Sequence, residues 1–149
     1  MTRSKIRREL DRVGRLVEAA WKTHERTPGH GDRPFICPGV GVVGICTHSS
    51  VYLADRLGGA VYGYLIEDNP EAKIGGAEVG HDFTVVDDRW LVDFWAKDSY
   101  QLPDLYDMTD PDERRQVRER YGDPGKWTRM TPEDFAYHKR HLRESRVDS

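Results

Sequence analysis

Residues 81–96, HDFTVVDDRWLVDFWA, carry two runs of β-branched and aromatic side chains separated by the polar stretch DDR. Such runs favour extended backbone, and a short polar break between them marks a β-hairpin. A hairpin constrains its surroundings through parity. Side chains alternate faces along a strand, so His81, Phe83 and Val85 share one face, and Leu91, Asp93 and Trp95 share one face. The two sets fall on the same side of the sheet only if the connecting loop has an odd number of residues. A two-residue loop at Asp87-Asp88 sends Asp93 to the other side. A three-residue loop, 86–88 or 87–89, places it opposite His81 or diagonally adjacent. Asp93 interrupts a run of large apolar side chains, where a carboxylate is costly unless hydrogen-bonded or paired. An imidazole across the hairpin is such a partner.

A second segment, GVVGICTHSSVYLADRLGG (41–59), puts a cysteine where an amphipathic helix begins. The helix is expected from about Cys46 to Leu57, burying Leu53, Ala54 and Leu57, with Gly58-Gly59 ending it. A thiol is a poor nucleophile until it loses its proton. The unsatisfied N–H groups and aligned peptide dipoles of a helix N-terminus favour the thiolate. The glycines before Cys46 let a substrate carbonyl approach, and the Cys46 N–H can donate to an oxyanion. A catalytic thiol also needs a base, and the base needs an orienting partner. His81, opening the first hairpin strand after Gly80, and Asp93, on the second, stand in the right order for those roles. Each has a plainer reading alone: Cys46 as a buried structural thiol, His81 as a hydrogen-bonded core or surface histidine, Asp93 as a turn cap or arginine partner. Their joint order favours a Cys46–His81–Asp93 triad, recognised by geometry and role.

Around this core, Ile6, Leu10, Val13, Leu16, Val17, Ala20 and Trp21 recur at helical spacing, predicting an amphipathic helix from about Ser4 to His24. Its basic face, Arg3, Lys5, Arg7, Arg8, Arg12 and Arg15, reads as a solvated surface or a docking face. A glycine- and proline-rich loop follows, with Cys37 read as structural. AVYGYLI (60–66) reads as a strand, and EDNPEAKIGGAEVG (67–80) as a long polar loop. Beyond Tyr100, Thr109 with Pro111 and Thr131 with Pro132 mark two further helix starts, with Asp134 placed to complete the second cap. The order predicts one α+β domain over 1–149 with antiparallel strands, a core at about 41–98, and helical flanks at 4–24 and 109–145.

Composition narrows the functional classes. A formal charge of −3 gives no general pull toward nucleic acid or anionic membrane. The N-terminal MTRSKIRREL lacks the apolar run of a signal peptide, and no segment approaches a membrane span. Two cysteines outside any Cys-x-x-Cys pair make no disulfide framework, so a reducing cytoplasmic setting, or export without a cleaved signal, is expected. Cys46 with His48, or His138 with His141, are pairs that zinc uses, but no second pair stands at familiar spacing. His48 is expected at the surface or in the cleft wall, and Trp90, Phe94 and Trp95 in the core. No cofactor or metal is expected.

The wording GICTHSSVYLADRLGGAVYGY … GHDFTVVDDRWLVDFWA resembles the papain-like and transglutaminase-like cysteine hydrolase superfamily in its circularly arranged bacterial forms. The likeness covers about residues 41–98 and is greatest to small papain-fold toxin or effector domains of the glutamine deamidase type. It implies a nucleophile helix packed on a small antiparallel sheet, with Cys46 as nucleophile, His81 as general base and Asp93 as the residue that orients it. It further implies a protein or peptide substrate carrying an amide or acyl group, and a thioester intermediate. Transglutaminases commonly have an aromatic residue where Thr47 stands, and of the longer acetyltransferase motif RGG.C.E only Gly44 and Cys46 remain. Hydrolysis is therefore expected ahead of transfer to an amine by a transglutaminase or arylamine N-acetyltransferase route. The alternative from another class is a catalytically silent papain-fold module docking a partner through the N-terminal helix. Oligomeric state and acyl acceptor stay open, as does whether the 67–80 loop is a lid.

Overall fold

The computed structural model describes residues 1–25, 46–75 and 80–147. In chain order the elements are α1 (Arg3–Glu25), α2 (Cys46–Leu57), β1 (Ala60–Leu65), β2 (Gly80–Val86), β3 (Trp90–Val92) and α3 (Phe94–Tyr100). Then come β4 (Leu105–Asp107), α4 (Pro111–Tyr121), β5 (Thr128–Arg129) and α5 (Pro132–Val147). The glycine- and proline-rich run before Cys46, with Cys37 inside it, and residues 76–79 of the polar loop lie outside the described residues.

The hairpin forms as its residues require. Asp87 and Asp88 both take positive φ, 54° and 51°, and the Arg89 N–H donates to the Val86 carbonyl at 3.0 Å. Aspartate is among the few non-glycine residues that enter this region readily. The turn alone would make a two-residue loop, yet pairing resumes with Val86 opposite Trp90 and Val85 opposite Leu91. Arg89 is the surplus residue, and the loop 87–89 is odd. Its extra position is held from three sides. The Arg89 carbonyl accepts from Met108 N–H (2.7 Å), and its guanidinium makes two bonds to Asp107 (3.0 and 2.9 Å) and lies 4.4 Å over the Trp90 ring.

The sheet is antiparallel, in the order β4-β3-β2-β1-β5, and it is covered on both faces. On one face Val61, Val86, Trp90, Val92 and Leu105 pack against α1 and α2, including Ile6, Leu10, Val51 and Leu53. On the other, Tyr64, Phe83, Val85, Leu91 and Tyr106 pack against Val117 and Tyr121 of α4. Two-sided burial is why β3 reads WLV without a polar break; a strand open to solvent on one side would alternate. The helix α2 ends as expected, with Gly58 at φ 71° and the Gly59 N–H donating to the Ala54 carbonyl at 2.9 Å.

Several elements depart from the sequence expectation. The second hairpin strand stops at Val92 instead of running through WLVDFWA, because Asp93 caps α3: its side chain accepts the Ala96 N–H at 3.2 Å. Asp110, not Thr109, caps α4, accepting the Glu113 N–H at 3.0 Å, while Thr109 turns its hydroxyl to Asp107 at 2.6 Å. The short strands β4 and β5 carry too few residues to show a period of two. The cap of α5 is the expected one, Thr131 Oγ1 accepting the Asp134 N–H at 3.1 Å. Among the described residues no helix is long and apolar enough to cross a membrane.

Candidate active site

Cys46 opens α2, and side-chain bonds fix the turn it starts. Ser50 Oγ donates to the Cys46 carbonyl at 2.6 Å, and Thr84 Oγ1 of β2 donates to the Ser50 carbonyl at 2.8 Å. Thr47 Oγ1 donates to Asp82 Oδ2 at 2.5 Å. That bond joins the residue after Cys46 to the residue after His81, so the start of the helix is latched to the start of the strand. Gly63, paired with Asp82 on β1, makes room for the latch, since a Cβ there would collide with the Asp82 carboxylate.

Asp93 lies one step past the last pair of the hairpin, Thr84 with Val92. Continuing the register puts it opposite Phe83, on the His81 face and diagonal to His81, as the 87–89 loop requires. His81 Nε2 and Asp93 Oδ2 are 2.6 Å apart, with the two residues 4% and 1% exposed. The imidazole sits among rings: Tyr64, Phe83 and Tyr121 have centroids 6.3, 6.2 and 6.0 Å away. Cys46 lies near enough to His81 for its side chain to favour the charged imidazole. With Nε2 committed to Asp93, Nδ1 is the ring nitrogen left to face the sulfur.

Electrostatics follow from this packing. Burial is the largest single influence on His81 and works against its charge. The Asp93 carboxylate, by charge and hydrogen bond, and then Cys46 outweigh it, raising the imidazole to about 10. At neutral pH His81 is therefore an imidazolium, with Nε2–H donating to Asp93. Both carboxylate oxygens are engaged. Oδ2 accepts from His81 and from the Tyr121 hydroxyl, each at 2.6 Å, and Oδ1 accepts the Ala96 N–H at 3.2 Å. A carboxylate inside an aromatic cluster persists only on such terms.

The structure thus brings Cys46, His81 and Asp93 together from α2, β2 and the β3–α3 junction. It places His48 elsewhere: half-buried, its ring edge-on to His138 of α5 at 6.2 Å. Among the described residues no three His, Cys, Asp or Glu side chains gather in a metal-binding group. Trp90 and Phe94 are buried and Trp95 is half-buried. Sequence reasoning did not find Tyr121, Asp82 or Thr84. Asp82 and Thr84 carried a weak signal, polar residues inside a strand facing the cysteine helix; Tyr121, at the end of the charged run DERRQVRERY, carried none.

A cleft of about 400 Å³ runs along β1 beside the latch, lined by Gly63, Tyr64, Leu65 and Asp82 with Lys126 and Arg129 at its far wall. A larger cavity, about 680 Å³, lies beneath α4; neither it nor the cleft along β1 is lined by Cys46, His81 or Asp93, and the cleft comes nearest to them through Asp82. No protein-family model, curated protein or solved structure matches the chain, and the reading of the site rests on its own geometry and chemistry.

Proposed function

We propose that this protein is a thiol-dependent amide hydrolase, acting on a protein or peptide substrate by glutamine deamidation or peptide cleavage. The observation that carries the reading is the meeting of the Cys46 thiol, at a helix start, with a buried His81 imidazolium held by Asp93. A buried imidazole whose proton affinity is shifted by burial and a specific carboxylate partner, beside a thiol, is the kind of group that clusters at functional sites.

In the proposed reaction the Cys46 sulfur attacks the amide carbonyl carbon, and the oxyanion formed takes a hydrogen bond from the Cys46 N–H. The C–N bond then breaks as His81 gives its Nδ1 proton to the departing nitrogen, leaving a thioester and a neutral imidazole. The imidazole takes a proton from water as that water attacks the thioester. The C–S bond breaks, the acid leaves, and thiolate and imidazolium are restored. Asp93 keeps its charge and its bond to Nε2 throughout.

A docking module built on the N-terminal helix is less well supported. Of its basic face, Arg7 makes two 2.9 Å bonds to Asp104, Arg12 donates to Tyr52 Oη at 3.0 Å, and Arg3 pairs with Glu113 at 3.5 Å. Transfer to an amine acceptor would use the same thioester and differs only in the second half-reaction. The test is intact mass after incubation with activated esters and glutamine-containing peptides, comparing wild type with Cys46→Ala. A thioester adduct confined to wild type supports the reading; no adduct with any donor, or an equal one on the variant, overturns it.

A further inference from the structure

The Asp93 carboxylate takes two short bonds on one oxygen, and only one of them comes from the imidazole. Tyr121, fully buried at the end of α4, donates its hydroxyl to the same Oδ2 that His81 Nε2 meets, both at 2.6 Å. We propose that Tyr121 is a positioning residue of this site: its phenol holds the Asp93 carboxyl group in one orientation and limits how strongly Oδ2 grips His81. This rests on the proposed function and extends the site beyond the strands and α2 into the C-terminal helices.

Two neighbouring tyrosines show that the arrangement is not the general fate of a buried phenol here. Tyr64, also ring-to-ring with His81, donates its hydroxyl to the Ile74 carbonyl at 2.7 Å. Tyr106 accepts from Arg120 at 2.8 Å. Either solution satisfies a hydroxyl without touching a catalytic group; Tyr121 alone among the three spends its proton on the His81 partner. Its ring is fixed for that purpose, 5.1 Å edge-on to Phe83 and 6.0 Å from Tyr106. Its backbone carbonyl accepts from Asn69 Nδ2 (2.9 Å) and Trp127 Nε1 (3.0 Å), which anchors the end of α4 without using the hydroxyl. Burial, and then the Asp93 charge, hold the phenol neutral, so it remains a donor wherever the pair is charged.

Two donors on one oxygen compete for its electron density. Removing the phenol leaves Oδ2 a stronger acceptor for the imidazole N–H, and His81 should then release its proton less readily, as leaving-group protonation requires of it. The groups facing His81 are Cys46 from α2, Tyr64 from β1, Asp93 from the β3–α3 junction and Tyr121 from α4, with Tyr106 of β4 beyond Asp93. Of these three tyrosines, Tyr121 is the one whose loss of a single oxygen removes a bond to Asp93 without altering a charge or the thiol; the Tyr64 and Tyr106 hydroxyls bond Ile74 and Arg120 instead.

The experiment follows the ring ¹⁵N shifts of His81 through a pH titration in wild type, in Tyr121→Phe, and in protein carrying 3-fluorotyrosine at 121, a stronger donor of nearly the same shape. The expected midpoint rises in Tyr121→Phe by about half a pH unit or more, a threefold change in proton affinity, and falls in the fluorinated protein. Opposite shifts are beyond a packing effect. Midpoints unchanged, or displaced the same way, overturn the proposal, and the fluorinated protein gives the answer if Tyr121→Phe does not fold. Iodoacetamide modification of Cys46 in wild type and His81→Asn separates the two levels. Dependence on His81 with no response to Tyr121 refutes the role of Tyr121 alone, whereas no dependence on His81 removes the catalytic reading and this proposal with it.

Discussion

Replacing Asp93 by asparagine should invert the pH dependence of stability contributed by His81. In the folded protein the imidazole titrates at about 10, against roughly 6.5 in an unfolded chain. Between those values the native state keeps a proton that the unfolded state has lost, so stability falls as pH rises. The slope reaches about 1.4 kcal/mol per pH unit, or up to ~3 kcal/mol between pH 7 and 9. This contribution is complete below about pH 6.5 and gone above about pH 10. In Asp93→Asn the charge that opposed burial is missing. Burial, already the largest influence on His81, then prevails and the ring is buried neutral. Now the unfolded state binds the extra proton, and the contribution is lost toward acid pH, below roughly 6.5, and flat above it. Near pH 7 the variant should be less stable by about 3–5 kcal/mol, the usual cost of breaking a buried pair, and the gap should narrow steadily toward pH 9. The measurement is urea unfolding from pH 5.5 to 9 with linear extrapolation. Wild type should be compared with Asp93→Asn, so that Cys46, which itself helps raise His81, and all other groups common to both proteins are retained in each. Parallel stability curves across pH 7–9 would refute the argument that Asp93 holds the charge on His81.

Three further outcomes are expected. His81→Asn should slow modification of Cys46 by iodoacetamide at pH 7 by about tenfold or more, read by peptide mass mapping, because the positive charge beside the sulfur is removed; an unchanged rate would detach the cysteine from the histidine. Gly63→Ala should cost about 1–3 kcal/mol in chemical denaturation, since the added Cβ meets Asp82 and forces the Thr47 latch apart; an unaltered midpoint would show that the latch yields freely. Asn69→Ala should cost about 1–3 kcal/mol, as buried Asn69 both donates to the Tyr121 carbonyl and accepts the Asp123 N–H at 3.0 Å; full stability by thermal melt would mean water replaces the amide.

The parts of the fold legible in the sequence are those set by neighbours along the chain. The amphipathic period of α1, the double glycine after α2 and the Thr131 cap all act over a few residues, and each stands where expected. The hairpin was legible as a hairpin, and its parity as a choice between loops. Which loop it is depends on Arg89, whose extra position is held by Asp107 of β4, a strand that no local pattern announces, and by Met108 just beyond it. The same distance hid Tyr121, whose partner lies 28 residues away. Nothing in a charged helix ending RERY distinguishes a tyrosine aimed at a carboxylate from one packed in a core.

The early end of β3 and the assembly of the site are one event. A buried carboxylate must fill its acceptor positions, and a continued strand after Val92 would leave Asp93 Oδ1 without the Ala96 N–H. Turning into α3 at Asp93 supplies that donor from the residue's own chain and fixes the side-chain rotamer. Oδ2 is then free to face His81 on one side and Tyr121 on the other. The local signal for a strand, apolar residues through WLVDFWA, is overruled because the helix cap satisfies a charge that strand geometry cannot. Asp93 was legible as costly from its neighbours alone; how the cost is met depends on a backbone turn, a ring across the hairpin and a helix from the far end of the chain.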